Sequence, residues 1–363
     1  MTRFKDVSGN LLRADVDALV NTVNTVGVMG KGLALQFKNA FPANFQAYSK
    51  ACKAGEVGLG RIFIFDNGQL VRPRWIFNFP TKGHWRERSR LSNVSAGLDD
   101  LRRVVEELQV GSIAVPPLGC GNGGLNWADV RTLIEEKFEG LSSDVHLYPP
   151  SGTPPAADMV ISTPRPDLTP ARAALVLLVN RYSTLAFGAS LIEVQKLMYF
   201  LQAAGEPLRL RYKPYHYGPY ADNLRHVLKL LEGHYLQGFG DGSKSVSQAE
   251  PIRVLPNAPE QARCVLSQQG ELLGRMERVL DLIRGYESSY GLELLASVHW
   301  AAANDEKCSS RDRVVEQIRS WNSRKRHAFA ENHIGMAWKH LRTEGWLTET
   351  SLPESRTEPV SQT

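Results

Sequence analysis

The sequence has few features of membrane or secreted proteins. Across its 363 residues, no stretch approaches the roughly 20 apolar residues that a membrane span needs. The N-terminal residues 1–17 also lack the apolar core of a signal peptide. We therefore expect a cytoplasmic protein with no membrane partner.

Motifs for disulfides and metals are also lacking. The four cysteines, Cys52, Cys120, Cys264 and Cys308, lie far apart, with neither C-x-x-C pairs nor nearby histidines. No carboxylate or histidine cluster has the spacing of a ligand set. We expect no disulfide and no metal, and no cofactor is indicated.

Positively charged residues outnumber negatively charged ones only slightly. The formal net charge of +5 is far below that of dedicated nucleic-acid binders, so charge alone identifies no partner. The hydrophobic fraction of 42% and the charged fraction of 22% are those of an ordinary globular protein. The length suffices for two cores, because single cores rarely grow beyond about 250 residues.

A proline-rich stretch divides the chain. Seven prolines fall between residues 149 and 170, where fixed φ angles and missing N–H donors oppose a helix or central strand. The sequence predicts a first domain over 1–152, a linker over 153–170, a second domain over 171–350 and a flexible tail over 351–363.

The two predicted domains differ in their hydrophobic patterns. Before the linker, short apolar strands alternate with amphipathic helices, which predicts a mostly parallel α/β sheet with helices on both faces. Ligands of such sheets bind at the carboxyl ends of the strands. After the linker the periodicity is helical, with a few short extended pieces. We expect a mainly α second domain with a small β-wing.

Two glycine-rich loops follow predicted strands in the first domain. They read "NTVNTVGVMGKGLALQF" over 21–37 and "VPPLGCGNGGLNW" over 115–127. Glycine lets backbone N–H groups approach phosphate oxygens, and the following helix N-terminus favours the same anion. Either loop alone has the alternative interpretation of a tight turn without ligand. Two on neighbouring strands predict a diphosphate held from two sides.

A third segment, "NFPTKGHWRERS", places Thr81, Lys82, His84 and Arg86 just past a strand. An isolated lysine is ordinarily a solvated surface cation. Its position at a strand's carboxyl end raises the alternative of a nucleophilic or acid–base amine. His84 is a secondary candidate, since such histidines commonly serve as packed loop residues.

Together the three motifs resemble the macrodomain of the DarG family, the DNA ADP-ribosyl glycohydrolases that act as antitoxins to DarT toxins. The resemblance covers residues 1 to 150. It implies an α/β macrodomain and a substrate in which ADP-ribose is joined to a base of single-stranded DNA, usually thymidine. It also implies a hydrolysis that restores the base and releases ADP-ribose.

The resemblance also implies roles for individual residues. Lys82 corresponds to the family's catalytic lysine and would engage the anomeric carbon, by direct attack or through a Schiff base with an opened ribose. Asn24 would address the distal ribose. The other positions expected to bind the ligand are Asn10, Met29, Gly30, Lys31, Gly32, Thr81, His84, Gly119, Cys120, Gly121, Asn122, Gly123 and Gly124.

Three positions depart from related macrodomains. Asn10 stands where many have an aspartate that contacts adenine, although its amide can still accept a hydrogen bond. Ala34 replaces the aspartate of a second glycohydrolase branch, and Gly123 replaces an aspartate of some lysine-type relatives. Acid–base assistance would then come from His84, a phosphate or water.

The protonation state of Lys82 is an open question at the level of sequence. A neighbouring diphosphate raises the pKa of the amine, whereas nucleophilic attack needs the neutral form. Desolvation, or repulsion from Lys31 or Arg86, would oppose this effect. If the ammonium form prevails, Lys82 would act as an electrostatic clamp or proton donor.

The second domain carries a resemblance of its own. Its "KLMYF" helix over 196–200 and "YGPY" turn over 217–220 are similar to Panacea-type antitoxin regions. Resemblance to DarG implies that residues 171–350 bind and neutralise the DarT toxin. The rival interpretation is a winged-helix DNA reader, supported by the basic cluster Arg324, Lys325 and Arg326, although a cluster that small is usually a solvated loop.

Two alternatives concern the whole protein. The glycine loops could serve a non-catalytic ADP-ribose reader in which Lys82 only pairs with phosphate. The enzyme could also remove ADP-ribose from protein carboxylates. The preferred hypothesis is a DNA ADP-ribosyl glycohydrolase with a toxin-binding domain.

Overall fold

The computed structural model describes residues 2–68, 72–150, 152–185, 188–246, 248–304 and 310–347. The predicted flexible tail, 351–363, lies outside them. The described residues form two compact units. One lies within Met1–Pro166 and Gly240–Ser247, and the other within Asp167–Phe239 and Gln248–Thr363.

The first unit is built on a six-stranded sheet. Its strands are β1 (Arg3–Asp6), β2 (Ala18–Asn24), β3 (Phe63–Asp66), β4 (Trp75–Lys82), β5 (Ser112–Val115) and β6 (Asp144–Leu147). They lie in the order β1-β6-β5-β2-β4-β3, and all neighbouring strands are parallel except β3, which runs antiparallel to β4 at one edge. The predicted mixed, mostly parallel sheet is confirmed.

Four helices cover both faces of this sheet. They are α1 (Gly32–Ala40), α2 (Pro42–Lys53), α3 (Leu91–Glu107) and α4 (Trp127–Lys137). Alternate side chains of a strand point to opposite faces, so each face buries its own set. In β2, Ala18 and Val20 belong to the core beneath α3 and α4, whereas Leu19 packs in a second core with Phe37 of α1.

Close packing of α3 against β4 fixes the position of that strand. A Cβ atom added to Gly97 of α3 would lie 2.3 Å from Cζ of Phe79. The ring of Phe79 therefore occupies the space that any larger residue at 97 would need. Three residues further along, β4 ends at Lys82.

The proline-rich segment contacts the first unit. Ala156 is buried, and the N–H of Ser162 donates to the carbonyl of Asn39 over 2.8 Å. Val160 packs against the core that contains Phe37. Residues 152–166 thus pack along the sheet unit, whereas the sequence predicts a linker from residue 153.

The second unit is mainly helical, as predicted. Two short antiparallel strand pairs accompany the helices: β7 (Tyr212–Tyr215) with β8 (Gly218–Ala221), and β9 (Leu236–Gln237) with β10 (Arg253–Val254). The helices are α5 (Pro170–Leu185), α6 (Leu191–Ala203), α7 (Leu224–Leu231), α8 (Ala258–Leu266), α9 (Gly270–Leu282), α10 (Ser289–Asn304), α11 (Arg311–Trp321), α12 (Ser323–Ala328) and α13 (Glu331–Thr343).

Of the predicted basic cluster in this unit, Lys325 is buried, Arg324 is half-buried and Arg326 is exposed. Nζ of the fully buried Lys325 donates to Glu293 over 2.7 Å and to Oγ of Ser297 over 2.9 Å. Arg324 donates to both carboxylate oxygens of Glu293, over 2.6 and 3.0 Å. The interpretation of this cluster as a solvated loop was wrong for Lys325 and Arg324, because both pair with the buried Glu293, whereas Arg326 is exposed.

Candidate active site

Lys82 lies at the carboxyl end of β4 and is 9% exposed. Its Nζ donates to the carbonyl of Asn122 over 2.9 Å and to that of Glu87 over 3.1 Å. The amine thus reaches the second glycine loop, which comes from a different part of the chain. Only part of the side chain is accessible to a ligand.

The surroundings of Lys82 act on its pKa in opposite directions. Burial lowers the pKa of the amine, because the charged form loses hydration, and the nearby Glu87 raises it. Burial is the larger effect, so the pKa lies below the ordinary lysine value. Without a bound diphosphate, the protein therefore favours the neutral amine more than water does.

The first glycine loop is shaped by Asn24. Its Oδ1 accepts from the N–H groups of Val26 and Val28, over 3.0 and 3.2 Å, and its Nδ2 donates to the carbonyl of Val28 over 2.6 Å. The hydroxyl of Tyr48 donates to the Asn24 carbonyl. The carboxamide thus holds the loop that follows β2. Its second Nδ2 hydrogen is the group that could donate to a ribose hydroxyl.

Hydrogen bonds and close packing bring the three segments together. The N–H and hydroxyl of Thr25 each donate to the carbonyl of Gly83 over 3.0 Å, which ties the first loop to the residue after Lys82. A Cβ on Gly32 would lie 3.5 Å from Nδ2 of Asn122. The two glycine loops and Lys82 therefore meet at one edge of the sheet.

The start of α1 has an exposed lysine on one side and contacts a distant acidic residue. Lys31 is exposed and precedes the helix without a side-chain cap. Gly32 has a φ of +61°, and its N–H makes a long, 3.4 Å hydrogen bond to the carbonyl of Asp241. The Asp241 carboxylate accepts from Gln36 of the same helix over 2.8 Å. Sequence reasoning missed this distant segment, which has no motif linking it to the loop.

The second glycine loop has no room for a side chain at position 123. A Cβ there would lie 2.3 Å from both the carbonyl oxygen of Gly119 and Oγ of Ser89. At Gly121 an added Cβ meets nothing within 4 Å. Gly123 is thus a packing requirement of this loop, which explains why no aspartate can stand there.

Several predicted ligand-binding side chains have structural partners. Met29 is 2% exposed and packs in a core with Tyr48, so its backbone is what a ligand could reach. Thr81 is buried and donates to the carbonyl of Val23 over 3.4 Å. Burial raises the pKa of the Cys120 thiol to about 11, so the thiol stays protonated.

Asn10 and His84 are also engaged. Oδ1 of Asn10 accepts from the N–H of Leu12 over 3.0 Å, and its Nδ2 donates to the carbonyl of Asp158 over 2.8 Å. Nδ1 of the half-buried His84 accepts from the N–H of Arg86 over 3.3 Å. This bond requires Nδ1 to be unprotonated, so Nε2 is the nitrogen that could exchange a proton with a ligand.

Glu87 is a functional candidate that sequence reasoning missed. A Cβ on Gly83 would lie 3.0 Å from Oε2 of Glu87, so the carboxylate lies over the residue next to Lys82. Its charge acts on the Lys82 amine. The available signal was an acidic residue in "HWRERS", but only the turn that follows Lys82 brings it back to the amine.

Among the described residues, no group of three histidine, cysteine or acidic side chains is arranged to hold a metal ion. In the same ranges, every helix is too short or too polar to cross a membrane. The chemistry that the described site offers is that of an amine, a carboxylate, an imidazole and backbone N–H groups.

Comparisons with known proteins identify relatives of the first unit and of nearly the whole chain. The Macro domain family matches residues 20–134. A DNA ADP-ribosyl glycohydrolase of Thermus aquaticus is 49% identical over 350 residues, which cover 96% of this chain and 94% of that protein. A Thermosipho africanus protein, described as a DNA ADP-ribosyl transferase–DNA ADP-ribosyl glycohydrolase fusion, is 35% identical over 162 residues, 40% of this chain and 41% of its own length.

Among solved structures, the macrodomain of Mycobacterium tuberculosis DarG is 57% identical, with a TM-score of 0.40, and covers 42% of this chain and 99% of its own. The near full-length identity with the Thermus protein extends through both units. The chain therefore belongs to the DNA ADP-ribosyl glycohydrolase family, and its first unit is a macrodomain.

Proposed function

We propose that this protein removes ADP-ribose from a modified base, expected to be thymidine, in single-stranded DNA. The observation that carries the proposal is the 2.9 Å hydrogen bond from Nζ of Lys82 to the second glycine loop. It joins a partly desolvated amine to a loop suited to a diphosphate. Family membership supplies the reaction class.

In the proposed complex the two glycine loops hold the diphosphate and present the distal ribose to Lys82. The neutral amine attacks the anomeric carbon, a nitrogen–carbon bond forms, and the bond to the base breaks. The departing base takes the electron pair and then a proton. Water subsequently displaces the lysine and yields ADP-ribose.

A Schiff-base route uses the same residues, with the amine condensing on the opened ribose. In either route the diphosphate raises the pKa of the Lys82 amine, while burial and loss of water on binding lower it. Nε2 of His84 is the proposed group for proton transfer, because Gly123 replaces the aspartate of some relatives, and Glu87 acts through its charge on the Lys82 amine.

Product analysis tests this proposal. The protein is incubated with a single-stranded oligonucleotide that carries ADP-ribose on thymidine, and we expect free ADP-ribose and unmodified oligonucleotide. Stable capture without turnover would instead indicate a reader. Faster release from ADP-ribosylated protein carboxylates, measured in parallel, would contradict the DNA assignment.

We propose a separate role for the second unit, taken as residues 171–350: it binds and neutralises a DarT-type DNA ADP-ribosyltransferase. The Thermosipho relative, whose name joins the two activities in one chain, supports this pairing. The winged-helix alternative is weaker, since Arg324 and Lys325 are committed to Glu293. Tyr215, 61% exposed on the β7–β8 hairpin, is the proposed contact.

Capture of the cognate transferase by the full-length protein tests this role. We expect Tyr215→Ala to weaken capture, while the exposed Met336→Ala, in α13, leaves it unchanged as the matched control. Neither substitution should affect the removal of ADP-ribose from the modified DNA base. Salt-sensitive binding of unmodified DNA, without capture of the transferase, would favour a DNA reader.

A further inference from the structure

A tight turn beside Lys82 presents a tryptophan to solvent. The N–H of Glu87 donates to the carbonyl of His84 over 3.0 Å, which closes the turn and places Trp85 and Arg86 at its two central positions. Trp85 is 47% exposed. Because the Glu87 carbonyl accepts from Lys82, the turn is attached directly to the candidate active site.

One arginine lies against this tryptophan, and two more follow it in the chain. The Arg86 guanidinium lies 4.5 Å from the indole centroid. Arg88 and Arg90 follow at alternate positions, and all three arginines are exposed. In the part of the chain that the structure describes, none of them pairs with a carboxylate within 4.0 Å. The turn and the residues just after it therefore carry three arginines with no carboxylate of the described residues within 4.0 Å.

Exposed apolar side chains lie on the adjoining loop. Val26 is 47% and Val28 is 40% exposed, and the hydrogen bonds from Thr25 to Gly83 hold their loop next to the turn. A single exposed apolar residue needs no explanation. Three on two linked loops, beside unpaired arginines, form the aromatic and basic surface that single-stranded nucleic acids bind.

We propose that the turn over residues 84–87, with Arg88, is a strand platform for the DNA on either side of the modified base. Trp85 stacks on a neighbouring base, and Arg86 and Arg88 contact the flanking phosphates. The inference rests on the proposed function and adds that the enzyme reads a DNA strand rather than an isolated nucleoside. Stacking tolerates any base, so the platform favours single strands without a strict sequence.

Two substrates test the strand platform: an ADP-ribosylated single-stranded oligonucleotide and the ADP-ribosylated nucleoside. Stacking on an aromatic side chain is worth about 1–3 kcal/mol per base. We expect Trp85→Ala to lower kcat/KM on the oligonucleotide by roughly 5- to 150-fold and to leave the nucleoside reaction unchanged. Trp85→Phe should retain most of the oligonucleotide activity, because it keeps an aromatic face.

The salt dependence of oligonucleotide binding tests the arginines. Each phosphate contact contributes about 0.7 to the slope of log K against log salt for single strands. We expect the double variant Arg86→Gln/Arg88→Gln to reduce the slope by about 1.4. Arg263→Gln, an exposed arginine on α8 in the second unit, is the matched control and should leave the slope unchanged.

These results separate the platform from the proposed function. If the unaltered protein hydrolyses neither substrate, the proposed function fails. If it hydrolyses both and Trp85→Ala slows them equally or not at all, the platform alone is overturned. An unchanged salt slope in the arginine double variant would also contradict it.

Discussion

Lys82 in the first unit and Lys196 in the second are both buried, and each donates to a backbone carbonyl next to a turn. Burial lowers the pKa of both amines. Lys82 lies where the two glycine loops meet, and three arginines without a carboxylate partner among the described residues follow it in the chain. Lys196 instead donates over 2.6 Å to the carbonyl of Pro219, in β8, next to the turn at residues 216–217.

The buried setting of Lys196 is complete. Its side chain is fully buried, and burial together with Lys325 lowers its pKa to about 7, although Glu293 raises it. A Cβ on Gly218 would lie 3.5 Å from its Nζ, so the start of β8 packs directly on the amine. A lowered lysine pKa alone does not identify a catalytic residue. Whether such a lysine can act on a ligand depends on its access to that ligand and on the groups around it.

The largest effect we expect is a loss of activity on substitution of Lys82 that substitution of Lys196 does not cause. Lys82→Ala should lower hydrolysis of the modified oligonucleotide by roughly 10³-fold, since it removes the reacting amine. Lys196→Met should leave turnover per folded molecule unchanged. Single-turnover assays and thermal unfolding of both variants provide the measurement. Equal losses of turnover would contradict the assignment of chemistry to Lys82.

The second prediction concerns stability and Lys196. Between pH 7 and the ordinary lysine pKa, the unfolded chain binds a proton that the folded chain does not, so stability rises with pH. The limiting slope from one such group is about 1.4 kcal/mol per pH unit, which gives roughly 4 kcal/mol across the window because the slope is smaller near both pKa values. Denaturant unfolding at pH 7 to 10 should show a shallower rise for Lys196→Met.

That variant loses one hydrogen bond, so its absolute stability is not the criterion. The relevant quantity is the difference in unfolding free energy between wild type and variant as a function of pH. A difference that stays constant would mean that Lys196 is charged in the folded protein at neutral pH.

The third prediction compares glycines within one loop. Gly123→Ala should destabilise the protein by about 2 kcal/mol and weaken ADP-ribose binding, because its Cβ meets Gly119 and Ser89. Gly121→Ala should leave stability within about 0.5 kcal/mol, since the space there is open. Chemical unfolding and calorimetric titration with ADP-ribose measure the two quantities.

Gly121→Ala also tests whether the loop holds the ligand. Weaker ADP-ribose binding with unchanged stability would indicate that the open space is occupied by the nucleotide. Unchanged binding in both glycine variants would contradict a diphosphate site in the second loop.

The smallest expected effect concerns Glu87. Its charge raises the pKa of Lys82, so Glu87→Gln should lower that pKa further. If attack needs the neutral amine, the rising limb of kcat/KM against pH lies below the ordinary lysine pKa and shifts lower by under about one unit. Glu139→Gln, an exposed residue beyond α4, should shift nothing. A reduced plateau without a shift would instead assign proton transfer to Glu87.

Local sequence signals predicted much of this molecule. The alternating pattern predicted the sheet, and the glycines and the strand-end position predicted that Lys82 would belong to the same edge as both loops. Helix α2 was missed although Pro42 stands at its first turn, a common helix start. Family resemblance, rather than periodicity, supplied the reaction.

The remaining features depend on how distant segments fold together. The motif predicts that Asn24 binds ligand, yet its carboxamide forms hydrogen bonds with the backbone of Val26 and Val28. Arg324 reads as surface charge until α10 places Glu293 against it. Glu87 acquires a role only through a turn. Such partners are set by tertiary structure, which local patterns do not encode.

Gly97 is an unsuitable position for substitutions intended to make the enzyme heat-resistant. Replacing a glycine inside a helix by alanine commonly raises melting temperature, because the unfolded chain loses freedom worth about 0.4–1 kcal/mol. At this site the added methyl would displace the ring of Phe79 and, with it, the strand that ends at Lys82. Consensus or helix-propensity schemes should therefore leave position 97 unaltered.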